Sequence, residues 1–134
     1  MDNKMIEVHS HTDKGFKRLV QYNEWVAACL NDTPMYTPEG ITYMEKHNLT
    51  DEVFILLKGK CTLFEAGNGD TLGEIHAVPL EPFKFYNVKA GVFHTHLLAP
   101  DTSVVVIENS NTSVDNSTRI ELSDEQKKII GDMF

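Results

Sequence analysis

The sequence predicts an all-β domain, an antiparallel β-barrel or jelly roll with one short C-terminal helix. Two observations carry that expectation: apolar runs too short for helices, separated by turn signals roughly every 8 to 12 residues, and a helix-capping pattern confined to the end of the chain. Residues 16–30 fit two periods, because Phe16, Leu19, Val20, Val26, Ala27 and Leu30 make a helical stripe while Trp25, Ala27 and Cys29 alternate; strands are favoured since the rest of the pattern is β. Tyr43 to His47 reads as extended. Val53-Phe54-Ile55-Leu56-Leu57 is a strand that Lys58-Gly59-Lys60 is expected to fold back as a hairpin onto Cys61-Thr62-Leu63-Phe64. Asn68-Gly69 is the strongest short turn signal, since a type I′ turn needs positive φ at both central residues, and it predicts a second hairpin toward Glu74–Val78. Phe83 to Val88 alternates, Ala90-Gly91 turns the chain, and strands follow over His94 to Leu98 and Ser103 to Ile107.

The tail differs. Residues 109–119, rich in Asn, Ser and Thr, read as a polar loop before a short strand over Ile120 to Leu122. Ser123 then serves as N-cap with Gln126 as capping-box partner, predicting a helix over about 123–132 whose Ile129, Ile130 and Met133 pack either on the barrel or across a dimer interface.

Composition narrows the class. With 134 residues, 41% hydrophobic and without internal repeat or linker, the sequence reads as one domain over 1–134. No apolar run approaches the roughly 18 to 20 residues of a membrane span, and the opening residues 1–7 carry no apolar signal core, so a cytoplasmic protein is expected. The two cysteines, Cys29 and Cys61, lie in apolar or strand-like runs and are expected to be buried thiols. A formal charge of −8 argues against nucleic acid or an anionic membrane as partner; a small molecule and a second copy of the chain in a homodimer are expected instead.

The chemistry concentrates in two segments. Alternate residues of a strand share a face, so Tyr43, Glu45 and His47 point one way and His94 and His96 do likewise. If the two faces converge, a divalent cation is one of the few partners that satisfies neutral imidazoles and ionised carboxylates together. If they point to solvent, the same residues are a hydrated surface. His9 and His11 form another His-x-His pair, but near the terminus, and His76 stands alone in an apolar strand; both read as outside the site.

Read as E-x-H-x4-E-x6-G and G-x-x-H-x-H, these segments resemble the two motifs of the cupin superfamily. In the first motif, G-x5-H-x-H-x3,4-E-x6-G, His47, Glu52 and Gly59 match, Glu45 stands where the first histidine is expected, and Glu39 holds the initial glycine position with Gly40 beside it. In the second, G-x5-P-x-G-x2-H-x3-N, Gly91 and His94 match, while Phe83, Lys89 and Leu98 occupy the other three positions. The resemblance spans about residues 40–108.

It implies His47, Glu52 and His94 as metal ligands, with Glu45 as a fourth by substitution. His96 is the rival for that place, or else a hydrogen-bond partner or proton-transfer group beside the metal. Two histidines with one or two carboxylates suit iron(II), manganese(II), nickel(II) or zinc. The function so implied is a metal-dependent enzyme acting on a small polar metabolite by isomerase, lyase or dioxygenase chemistry, with Glu45 or His96 moving a proton. The alternative is a non-catalytic module that binds a sugar or carboxylate in the same barrel; a third reading makes the histidines and carboxylates a metal-free structural network.

Overall fold

A computed structural model describes residues 5–134; residues 1–4, part of the stretch read for a signal core, lie outside the described residues. The described residues form ten strands: β1 (Gly15–Tyr22), β2 (Trp25–Asn31), β3 (Tyr43–His47), β4 (Glu52–Lys58), β5 (Cys61–Glu65), β6 (His76–Pro79), β7 (Tyr86–Val88), β8 (His94–Leu98), β9 (Ser103–Asn109) and β10 (Ser117–Glu121), followed by helix α1 (Asp124–Asp132). They form two antiparallel five-stranded sheets, ordered β1-β2-β9-β4-β7 and β10-β3-β8-β5-β6. The jelly-roll class is therefore as expected, with two facing sheets in place of one closed hydrogen-bonded barrel.

Residues 16–30 are strands, as favoured, because Ala28 and Leu30 of β2 alternate into the space between the sheets. The hairpin expected around Gly59 does not form. β4 pairs with β9 and β7, whereas β5 pairs with β8 and β6, so the turn carries the chain from one sheet to the other. Gly59 is required there: its φ is +85°, and a Cβ would sit 2.2 Å from Thr102 Oγ1 and 2.6 Å from Thr102 Cα. The second hairpin is real but longer than a two-residue turn, since Glu65 pairs with His76 and the positive φ falls at Gly67 (+79°) ahead of Asn68-Gly69. Phe83 also departs from expectation; at φ +68° it lies in a turn, and the strand starts only at Tyr86.

Period two divides the side chains. Phe54 and Leu56 of β4, Val104 and Val106 of β9, and Leu63 and Leu98 from the opposite sheet fill the interior with Cys61. Both cysteines are buried free thiols, as expected, and burial pushes the Cys61 thiol up to about 12. Met44, Phe64 and Leu97 project from the other face of β3, β5 and β8, with Phe93 just before β8, and Leu122 and Ile130 join them in one cluster. Helix α1 thus packs on its own chain, starting from the expected Ser123–Gln126 capping box. The Ile120 strand expected after the polar loop begins three residues earlier, at Ser117.

Candidate metal centre

At one end of the sandwich the inward positions turn polar. His47 closes β3, Glu52 opens β4, His94 opens β8, and Glu108 lies near the end of β9 in phase with Val104 and Val106. All four are buried, with His94 5% and Glu52 7% exposed. The backbone locks the two histidine segments together: the Gly91 N–H donates to the His47 carbonyl at 2.8 Å, and Gly91 holds φ +82° in the turn before His94. Asp51 braces that turn by accepting from the Ala90 N–H and the Asn87 amide. The register also sets Arg119, Glu45 and His94 in one row across β10, β3 and β8.

One donor atom each from His47, Glu52 and His94 lies within 4.8 Å of the other two. Glu52 Oε1 is 2.8 Å from His94 Nε2 and 3.3 Å from His47 Nε2. The far side of each ring fixes its tautomer. His94 Nδ1 faces the Val92 carbonyl at 2.9 Å, which can only accept, so Nδ1 carries a proton. His47 Nδ1 faces Ser117 Oγ at 2.8 Å; Ser117 spends its own hydroxyl proton on the Ser113 carbonyl at 2.7 Å, so Oγ accepts from His47. Neutral imidazoles in this form present Nε2 lone pairs to the same carboxylate, and three electron-rich atoms at these distances need a cation among them. A proton or a metal ion meets that need, and the donor set fits a borderline divalent ion.

The electrostatics follow from burial opposed by Glu52. Burial pushes His94 down, but the hydrogen bond and charge of Glu52 outweigh it and leave His94 raised; the same balance raises His47. Burial alone would raise Glu52, and the two histidines instead hold it well below the carboxylate range. Glu108 goes the other way, pushed up to about 8 by burial and by the charge of Glu52. Its Oε2 is buried, has no hydrogen-bond partner among the described residues, and lies 4.0 Å from His47 Nε2. Alternation could have found Glu108, since a carboxylate in phase with buried valines needs a partner.

Glu45 stands at the edge of the cluster. Its Oε1 is 3.7 Å from His47 Nε2, while Oε2 accepts from Arg119 Nε at 2.6 Å. His96 is tilted against Tyr36 at 4.2 Å between ring centroids and lies near Phe54, with both ring nitrogens buried and without a hydrogen-bond partner among the described residues. Burial pushes it down to about 4, so the ring is neutral. A cavity of about 350 Å³ joins these groups, lined on its outer side by Arg18, Met35, Tyr43 and Arg119. The structure therefore brings together Glu45, His47, Glu52, His94 and His96 and adds Tyr36, Glu108, Ser117 and Arg119. Ser117 and Arg119 were hidden in the stretch read as polar loop. His9 and His11 lie elsewhere, bonded to Glu7 and to the Gly15 carbonyl. His76, read as a histidine in an apolar strand, is exposed on edge strand β6, 3.3 Å from Glu65.

No family model matches the sequence, and no curated protein matches it. Solved structures do match by shape. The capsular polysaccharide assembling protein CapF from Staphylococcus aureus aligns at TM-score 0.55 and 18% identity, over 84% of this chain and 31% of that one. The nucleoside dehydratase Pac13 aligns at TM-score 0.54 and 9% identity over 86% of both chains. The L-ribose isomerase of Cellulomonas parahominis aligns at TM-score 0.51 and 12% identity, over 68% of this chain and 51% of that one. This chain spans about a third of CapF and about half of the isomerase. Each of these neighbours is a cupin-fold protein, and the two facing sheets with a buried His-Glu-His group between them show that this chain has the cupin fold.

Proposed function

We propose that the chain holds one divalent transition-metal ion on His47, Glu52 and His94 and acts as an enzyme on a small polar metabolite bound in the adjoining cavity. One observation carries this reading: both histidines are held in the Nδ1–H form by acceptors behind them, which aims two Nε2 lone pairs at one buried carboxylate. The metal-free structural network explains the same contacts only by adding protons to a buried cluster. A bound ion supplies Lewis-acid polarisation of a ligand oxygen. Around it the chain's own groups divide the work. Glu45, oriented through one oxygen by Arg119, offers the other oxygen toward the cluster to accept a proton or complete the ion's shell. His96 presents a donor and an acceptor, both without partners, to a ligand oxygen. The neutral Tyr36 phenol, kept protonated by burial, shapes the wall beside it. The cavity is of metabolite size, near the lower end of the roughly 300–1,000 Å³ usual for ligand sites. An isomerase and a dehydratase among the cupin-fold neighbours are compatible with proton-moving chemistry at such a site.

The test is elemental analysis of untagged protein before and after chelation and reloading with Mn2+, Fe2+, Ni2+ or Zn2+, with thermal melting alongside. The expected result is one ion per chain, a lower melting temperature on removal, and loss of the ion in His47→Ala and His94→Ala. Stoichiometric metal retained by both variants refutes the ligand set.

A further inference from the structure

The groups at the cavity mouth narrow what the metabolite is. Arg119 lines the opening with its guanidinium stacked on the Tyr43 ring at 4.4 Å and its Nε bonded to Glu45, which fixes the plane of the fork. Among the described residues only Nε is engaged, so the two terminal nitrogens are left for a partner. Arg18 lines the same mouth from the facing sheet, its terminal nitrogens donating to the Ser110 and Thr112 carbonyls. Both guanidiniums thus stand at one opening in a chain of net charge −8.

The distance from Arg119 to the cluster is set by register. Arg119, Glu45 and His94 are cross-strand partners in one row, so two strand spacings, about 10 Å, separate the outer Cα atoms. The side chains reach toward one another across that gap: Glu45 touches Arg119 with one oxygen and comes within 3.7 Å of His47 with the other. Glu45 thus bridges Arg119 Nε and His47 Nε2, and the Arg119 side chain lines the same cavity as the ion-binding atoms. Deeper in, the unpartnered nitrogens of His96 ask for a polar atom on the same ligand.

Charge points the same way. With every lining carboxylate ionised, Glu45, Glu52 and Glu108 exceed Arg18 and Arg119 by one unit, and a divalent ion turns the cavity net positive.

We infer that the ligand is an organic acid whose carboxylate is held by the terminal nitrogens of Arg119, while a hydroxyl or carbonyl oxygen a few bonds away meets the metal and His96. This rests on the metal reading above. Arg119 is then the specificity-determining residue, and metal and acid bind cooperatively, each supplying charge that favours the other.

Full-length protein loaded with Co2+ tests this by calorimetry with glycolate against ethylene glycol and D-glucuronate against D-glucose. At least one acid should bind about tenfold or more tightly than its neutral counterpart, the usual scale for a charge-assisted bidentate pair. Arg119→Gln, compared with wild type at saturating Co2+ after its own Co2+ affinity is measured, should erase the preference, and Arg119→Lys should restore part of it. Arg119 is half-exposed, so both variants are expected to fold, and their melting curves check that. An acid preference that survives in Arg119→Gln means that the carboxylate sits on the metal alone and overturns the inference; so does equal binding of acid and neutral partner. If the wild type takes up no Co2+, the metal reading has failed, and the same titrations on the metal-free protein decide the arginine subsite by itself: an Arg119-dependent preference upholds it, and none overturns it.

Discussion

If His47 binds the proposed metal ion, its affinity should depend on Ser117, which contacts the far side of the His47 ring. Its hydroxyl proton goes to the Ser113 carbonyl at 2.7 Å, which leaves Oγ as the acceptor that keeps the proton on His47 Nδ1 and the lone pair on Nε2. In Ser117→Ala the Nδ1–H faces a methyl group, and the ring gains freedom to rotate or change tautomer. One neutral hydrogen bond contributes about 1 kcal/mol net, and outer partners of metal-bound histidines are worth about 10–100-fold in affinity. Ser117 is half-buried at the cavity wall, where water can replace part of the lost bond, so the low end applies: about tenfold, or about 1.4 kcal/mol. The assay is competitive titration of Zn2+ or Co2+ against a chromophoric chelator, with 15N spectra of the histidine rings reporting the tautomer. Ser117→Thr keeps the hydroxyl and should keep the affinity. An unchanged Kd in Ser117→Ala, or a wild-type His47 carrying its proton on Nε2, refutes the tautomer argument.

Two further outcomes follow from the same contacts. Without metal, His47 and His94 are raised, so their stabilisation is full below the unfolded histidine value of 6.5 and is lost as pH rises through the folded values; Glu52 is lowered, so its share is present above 4.5 and lost as pH falls. Metal-free protein should therefore melt highest between these two values and lose stability toward pH 8, while the rise in melting temperature on adding Zn2+ grows over that range because the ion no longer displaces protons; a metal increment that shrinks with pH contradicts this. Gly59→Ala should cost about 2–4 kcal/mol in chemical denaturation, combining left-handed strain with the overlap on Thr102, and a loss under about 1 kcal/mol would mean that the turn relaxes freely.

Much of this arrangement was legible because the decisive signals are local. The capping box at Ser123, the alternation through β2, and the His-x-His and Glu-x-His spacings each put a side chain on a face without knowledge of its partner. What could not be read is which strand pairs with which. Lys58-Gly59-Lys60 joins two apolar strands in the way a hairpin would, and only the distant partners β9 and β8 decide that β4 and β5 go to different sheets. Arg119 escaped for a related reason: in sequence it ends a run of Asn, Ser and Thr, and only pairing of β10 with β3 sets it beside Glu45.

The sheet switch at Gly59 is also what brings the proposed metal ligands face to face. Had β4 and β5 paired as a hairpin, Glu52 would lie in the plane of the sheet that carries His94, with its carboxylate beside the imidazole on one surface open to water. Because the chain crosses over, Glu52 enters from the facing sheet and meets His47 and His94 head-on in the interior, where the low dielectric makes their mutual demand for a cation strong. The same crossing explains the cost borne by Glu108, which arrives on β9 beside Glu52 with an oxygen left unpaired. Two carboxylates from one sheet facing two imidazoles from the other form a buried site whose electron-rich atoms need cations among them, and a single divalent ion would supply in one centre what two protons would otherwise have to supply.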